Sequence, residues 1–466
     1  MKNRIGIVIT DGVGFRNFIL SDFITEAEMK YDEVIIYSCL PVHVFDGFVF
    51  KAKVVELKVY PDIFRTWFFM KLKEVAHLRL NKKNNFGITD NYNSNKSKSK
   101  SLRGLVVRAI YSFTSLFHSE SWIQRFNKWQ QVSFKRHQIT RGYLELLKED
   151  QINFLFFTHQ RPPYIAPLIY AAEQLEISTG TFIFSWDNLA SKGRMAGNFD
   201  FYFVWSNLMK SELLAFYMSI RQQQIRVVGT PQFEPYVLSR YKISRWEFLN
   251  KFNLDEQIKT ICFSCGDVST SKNDPLYIET IANAIQSQQL NQNINFLVRT
   301  SPAETPERFQ YLKKKYPFII WNYPKWSLSR EDHQEKWSQR VPTIEDMIDL
   351  RSILEYSDVF INMCSTMSLD AICFDKPVIN PVFGNEQNGI YNDQRFLKYA
   401  HYKRVAESGA VAIVKNEIEL IDAIKESLLN PIIRLEAQQE LLQLQVSCEL
   451  KGTSKRIAKS IQACLR

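Results

Sequence analysis

The stretch from Ser357 to Phe383, SDVFINMCSTMSLDAICFDKPVINPVF, concentrates the residues most able to do chemistry. An apolar run ends at Met363, and Cys364-Ser365-Thr366 then open a helical pattern that carries Ser368 and Asp370. Ser and Thr at a helix start satisfy its first backbone N–H groups, and those groups together with the helix dipole attract an anion. A diphosphate resting there would leave Asp370, one turn further in, within reach of a ribose hydroxyl. The plainer alternative is an ordinary capped helix with Asp370 in solvent.

Several other chemistries are missing. No GxxxxGK(S/T) loop occurs, so there is no P-loop. Gly12-Val13-Gly14-Phe15-Arg16-Asn17 follows the first apolar run but lacks the third glycine of a dinucleotide fingerprint. No aspartate has another two positions away, which removes the Asp-x-Asp metal clamp of one large class of sugar transferases. The seven histidines contain no HExxH, and Cys262-Phe-Ser-Cys265 has no second ligand pair at zinc spacing, so those cysteines read as structural. Neither a metal nor a cofactor is expected.

These residues need a frame. Apolar runs of strand length alternate with helix-length segments throughout, the pattern of parallel α/β architecture. RIGIVIT, DEVIIYSC, INFLFFTH, STGTFIFSW, DFYFVWS and IRVVGT form one set; TICFSCG, INFLVRT, FIIWNY, VFINMC, PVINPV and AVAIV form a second. The expected fold is therefore α/β, with two doubly wound Rossmann-like domains facing a central cleft. The first covers residues 1–235, a helical linker 236–254, the second 255–450, and an amphipathic helix over 451–466 returns to the first.

The chain of 466 residues is 45% hydrophobic and 23% charged, which excludes wholesale disorder and leaves room for a large core without disulfide staples. Its seven scattered cysteines, and an N-terminus without a long apolar stretch, point to a reducing cytoplasm. The net charge of +10 is uneven: ten basic residues lie between Lys71 and Ile110 against only Glu74 and Asp90. The middle of that stretch, Asn81 to Ser101, is Asn/Lys/Ser-rich and reads as a mobile loop. Its flanks, IFRTWFFMKLK and LRGLVVRAIYSFTSLF, are aromatic and aliphatic. Basic charge interleaved with such residues suits an anionic membrane surface, here the inner face of the cell membrane. The alternative is a solvated loop between core helices. Nucleic acid is not an expected partner, because no recognition motif accompanies the charge.

Residues Ser365 to Ile379, a Ser/Thr-rich helix start followed by Lys376-Pro377-Val378-Ile379, resemble the donor-binding segment of bacterial surface-polymer transferases of the GT-B architecture. The resemblance is to the CDP-glycerol glycerophosphotransferase (teichoic acid polymerase) group and related UDP-sugar enzymes. SWDNLASKG, Ser185 to Gly193, is similar to that group's T-W-H-G-x-P-x-K-x-x-G signature, with Trp186 and Lys192 in place. The group's catalytic histidine falls on Asp187, which argues against a glycerophosphate substrate while leaving an Asp base available. The resemblance also makes Asp11, in a Gly-flanked loop after the first strand, a rival base. His159, which follows INFLFFTH, is a third candidate. Arg299 in FLVRTSP corresponds in kind to the group's basic residue facing the donor phosphates, and the loop at Gly266 is expected beside it.

The reading implied is an inverting, metal-independent glycosyltransferase of surface-polysaccharide or lipopolysaccharide assembly. Its donor is a nucleotide-sugar held by Arg299, Ser365, Thr366, Ser368, Asp370 and Gly266, and its acceptor a glycan or lipid-linked hydroxyl. Its rivals are a UDP-N-acetylglucosamine 2-epimerase, a glycerophosphotransferase, and a non-catalytic membrane-associated assembly partner.

Overall fold

All twelve apolar runs become strands of two parallel sheets in the computed structural model, which describes residues 3–384 and 393–465. The first sheet contains β1 (Arg4–Ile9), β2 (Glu33–Ser38), β3 (Lys53–Glu56), β4 (Phe154–Phe157), β5 (Ser178–Phe182), β6 (Phe201–Val204) and β7 (Ile225–Val227). Its order is β3-β2-β1-β4-β5-β6-β7, every pair parallel. The second contains β8 (Lys259–Ser264), β9 (Ile294–Arg299), β10 (Ile320–Asn322), β11 (Val359–Ile361), β12 (Val378–Pro381) and β13 (Ala412–Val414). Its order is β10-β9-β8-β11-β12-β13, again all parallel. Both sheets reverse direction of growth once, between β1 and β4 and between β8 and β11. Open α/β sheets bind ligands beyond the carboxyl ends of the strands at such switch points.

The central strands are buried on both faces: every residue of β4 and of β9 is buried. That explains why they read as continuous apolar runs rather than alternating ones. The strand that sequence reading missed, β3, is the edge strand KVVE, where charge at both ends shields an exposed edge.

Chain contacts divide the molecule into two units. The first comprises Met1–Glu234, Leu328–Val341 and Gln445–Arg466; the second comprises Pro235–Ser327 and Pro342–Leu444. Residues 236–254, predicted as a linker, fold within the second unit and include helix Arg245–Phe252, closed by a capping box between Ser244 and Glu247. The C-terminal helix Thr453–Gln462 packs in the first unit, where Ser454 N donates to Glu234 Oε1 at 3.0 Å and Tyr31 donates to Ala458 O at 3.1 Å. The predicted last residue, Arg466, lies outside the described residues.

An insertion of helices, Phe64–Asn81, Phe86–Ser94, Leu102–Phe113 and Glu120–Phe134, separates β3 from β4. It has its own core around Trp67, Leu72, Ile88, Tyr92, Ile110, Ile123 and Phe126. The expectation of a mobile loop over Asn81 to Ser101 is corrected here, because helix Phe86–Ser94 lies inside it. Ile88 and Tyr92, four residues apart, face that core, and Asn85 caps the helix by accepting from Ile88 N at 3.0 Å. Two apolar side chains at helical spacing outweigh the surrounding polar composition. Among the described residues no helix is long and apolar enough to cross a membrane.

Candidate active site

The switch point of the first sheet carries the most reactive arrangement. β1 and β4 are paired in register from Ile5 and Phe154 to Val8 and Phe157, so the residues beyond their carboxyl ends emerge side by side. Asp11 is fully buried and caps the short helix Gly12–Phe18. Its Oδ1 accepts from Val13 N at 3.1 Å and Gly14 N at 2.8 Å, and its Oδ2 accepts from Thr10 Oγ1 at 2.8 Å. The same Oδ2 lies 2.7 Å from His159 Nδ1. The His159 ring stacks on Phe184 with centroids 3.9 Å apart. Its Nε2 is buried and has no hydrogen-bond partner among the described residues.

Burial opposes the charge on Asp11, but the imidazole and the surrounding donors outweigh it and hold the carboxyl below the ordinary range. Burial in turn holds His159 below its ordinary value, against the pull of Asp11. A neutral ring whose Nδ1–H donates to an ionised Asp11 leaves the lone pair on Nε2, the tautomer of a general base.

Asp187 comes to the same end of the sheet, just after β5. It opens the short helix Asn188–Ser191 without capping it, accepts from Asn188 Nδ2 at 3.0 Å and lies 3.5 Å from Lys192 Nζ. Its charge acts on His159. Gln160 ties the two loops together, donating to Asn188 Oδ1 at 2.9 Å and accepting from Phe184 N at 3.0 Å. All three candidate bases therefore gather in one place.

A fourth group there escaped sequence reading. Residues Leu328–Val341 pack in the first unit over the start of helix Gly12–Phe18. A Cβ added to Gly12 would stand 1.6 Å from Arg340 O, so only glycine allows the approach. His333 meets the edge of Tyr164 at 5.1 Å, and Tyr164 donates to Thr10 O at 2.9 Å. Glu335, half-buried in this strap, is pushed up to about 7 by burial and by Asp11, with Arg161 opposing. In sequence the segment SLSREDHQEKWSQR is indistinguishable from a solvated loop.

The predicted donor residues lie in the second unit. Cys364 adopts a left-handed conformation, φ 44°, at the turn between β11 and helix Met367–Ile372. Asn362 Oδ1 organises the turn by accepting from Ser365 N and from Ser368 Oγ, both at 3.1 Å. Ser365 Oγ accepts from Met367 N at 3.3 Å, while Thr366 at the cap position makes no side-chain capping bond. Ser368 belongs to a buried network with Tyr402, at 2.9 Å, and Asn380, at 3.2 Å. Asp370 is 2% exposed and accepts from the Tyr236 hydroxyl, so it is neither in solvent nor presented on the surface of the turn. Arg299, at the end of β9, is buried and makes a two-pronged ion pair with Asp346, at 3.0 and 2.9 Å. Gly266, just past β8, donates to Asp274 Oδ2 at 2.9 Å and accepts from Arg308. Cys262 and Cys265 are buried free thiols.

No family model and no curated protein matches this sequence. Solved structures do match along the whole chain. A putative UDP-N-acetylglucosamine 2-epimerase from Listeria monocytogenes superposes with a TM-score of 0.58 at 11% identity, over 100% of this chain and 97% of that one. The S. aureus MnaA–UDP co-structure gives 0.55 at 11% identity, over 99% and 97%. A glycosyltransferase from Rickettsia africae gives 0.52 at 12% identity, over 100% and 98%. With its two Rossmann-like units, the chain has the GT-B fold.

Proposed function

We propose that this protein is a nucleotide-sugar-dependent enzyme, and specifically an inverting, metal-independent glycosyltransferase of surface-polysaccharide or lipopolysaccharide assembly. The observation that carries the reading is the Asp11–His159 pair, with its free Nε2 at the switch point of the first sheet. His159 is the base, Asp11 holds its ring, and Asp187, already matched by Lys192, tunes the site. His159 Nε2 takes the proton of an acceptor hydroxyl, the oxygen attacks the anomeric carbon, and the nucleoside diphosphate leaves with the bonding pair. The second unit holds the donor. Ser365 and Thr366 face its diphosphate, Ser368 and Asp370 brace that turn from beneath, Arg299 braces the end of β9, and Gly266 gives a close backbone approach.

The acceptor is a lipid-linked or glycan hydroxyl presented at an anionic membrane surface. The helical insertion supports this. An apolar trough of about 650 Å³ is lined by Phe64, Trp67, Leu102, Leu105 and Val106, with Arg103 4.3 Å over the Trp67 ring. Exposed Lys96, Lys98 and Lys100 stand just before it in the chain.

A second reading, a 2-epimerase acting on a nucleotide-linked N-acetylhexosamine, is favoured by Glu335, which supplies a second acid/base group beside Asp11. Product analysis without an acceptor separates the two, since only an epimerase converts the donor alone. The test of the common reading is thermal stabilisation by UDP, GDP, CDP, dTDP and CMP. A ligand at 100 times its dissociation constant adds about 2.7 kcal/mol. One nucleotide should stabilise wild type and fail with the Ser365→Ala/Thr366→Ala double variant. A panel with no effect sinks the reading.

A further inference from the structure

Two residues beyond His159, the guanidinium of Arg161 makes no hydrogen bond or ion pair among the described residues, yet its Nε is buried. The other cations nearby are satisfied. Arg194 pairs with Glu120 at 2.5 Å, Lys192 with Asp187 at 3.5 Å, and Lys73 donates to Asn127 Oδ1 at 2.8 Å and Ala196 O at 2.7 Å. The charge of Arg161 acts on His159, Glu335, His77 and Tyr217.

His77 repeats the pattern. Its Nδ1 lies 3.2 Å from Asn81 Nδ2 and 3.4 Å from Arg194 Nη1, both donors, which makes Nδ1 the acceptor and puts the proton on Nε2. That Nε2–H is buried and unpartnered. Burial holds the ring well below its ordinary value, with Arg194 and Arg161 adding to the effect, so His77 stays neutral. A buried donor left without an acceptor is destabilising. Arg161 Nε–H is a second such donor, and Glu335, whose carboxyl feels the charge of Arg161, makes no hydrogen bond or ion pair with it. What is missing is an anion.

We propose that Arg161 binds an anionic group, a carboxylate or a phosphate, carried by the acceptor close to the hydroxyl that His159 deprotonates. The inference rests on the transferase reading and adds the acceptor's chemical class to it. The planar fork of arginine takes either anion through two parallel bonds, which a lysine cannot do. Arg161 follows His159 by two residues in the loop after β4, so the proposed anion is held at the same end of the first sheet as the base. Neutral glycans are then poor acceptors.

The test is calorimetric titration of the full-length protein with inorganic phosphate, D-glucuronate and D-glucose, with and without UDP. At least one anion should bind and glucose should not. Arg161→Gln should weaken the anion by about tenfold or more, and Arg161→Lys should recover part of the loss. The nucleotide that stabilises wild type should bind Arg161→Gln unchanged, which also reports that the variant is folded. If Arg161→Gln does not fold, the comparison of wild type with Arg161→Lys decides, since loss of the fork alone must weaken binding. Glucuronate binding names a uronic-acid acceptor, and phosphate binding a phosphorylated one. Equal affinity in the variants, no anion binding at millimolar concentration, or displacement of the anion by UDP overturns the proposal. A silent nucleotide panel with intact Arg161-dependent anion binding removes the transferase reading instead and leaves the anion site standing.

Discussion

His159 Nδ1 lies 2.7 Å from Asp11 Oδ2, each residue just past the carboxyl end of one of two neighbouring parallel strands. The parallel register creates this relationship, because it delivers both loops to the same end of the sheet although the residues are 148 positions apart. A carboxylate that also accepts two backbone amides cannot turn away, and the imidazole it holds cannot either.

His159→Gln should lower turnover by about 10²–10⁴ while leaving nucleotide affinity unchanged. Asp11→Asn should also lower turnover, because an amide can donate to Nδ1 and move the ring proton to Nε2. Asp187→Asn should have the smaller effect. Initial rates beside nucleotide-dependent melting shifts check all three; an inactive Asp187→Asn with an active His159→Gln would reverse the assignment.

Glu335 makes stability depend on pH with a definite sign. Its folded value, about 7, lies above the ordinary carboxyl value, so the folded state holds the proton more tightly. Stability is fully present below the ordinary value and is lost as pH rises through about 7. Glu335→Gln needs no ionisation and should melt on the order of 2–4 °C above wild type at pH 8, with a much smaller gain at pH 5. Thermal melts at the two pH values decide it.

Gly12→Ala should dislodge the strap, since its Cβ would stand 1.6 Å from Arg340 O, a backbone atom that cannot rotate away. Faster tryptic cleavage at Arg330, Lys336 or Arg340, with the nucleotide still bound, is the expected result. Unchanged cleavage kinetics would mean that the helix start yields instead.

Arg299→Gln leaves Asp346 buried without its cation, a loss of about 3–5 kcal/mol. Denaturant unfolding should show that loss. A variant of wild-type stability whose only defect is nucleotide affinity would instead make Arg299 a direct phosphate ligand.

Lys96, Lys98 and Lys100 changed together to Glu should abolish binding to vesicles containing phosphatidylglycerol, each lysine being worth about 1 kcal/mol at an anionic surface. Binding to neutral vesicles should be weak in wild type and unchanged in the variant. Co-sedimentation measures both.

Twelve of the thirteen strands of the two large sheets were legible because buried parallel strands are written as plain apolar runs, and β3 was lost because an edge strand of four residues is not. The insertion was half legible: Phe64–Asn81 carries its aromatic residues openly, while helix Phe86–Ser94 rests on Ile88 and Tyr92 within polar sequence. Asp11, His159 and Asp187 could each be named from their positions after strands. Their convergence could not, since it depends on strand order. Nor could the burial of Asp370 against Tyr236 or of Arg299 against Asp346, because a side chain's partner is invisible until the chain is folded. Glu335 had no signal at all.

The strap has a consequence for biosynthesis. The first unit is assembled from three separate stretches of chain, with Leu328–Val341 made between the two stretches of the second unit and Gln445–Arg466 made after both. A nascent chain halted after Glu234 has the whole first sheet but neither Glu335 over Asp11 nor the helix that carries Ser454 to Glu234. Glu335 is thus delivered to the first unit only after the first three strands of the second sheet have been translated, and the C-terminal helix only after all six. For the same reason, neither half can be excised as a contiguous fragment with its fold complete.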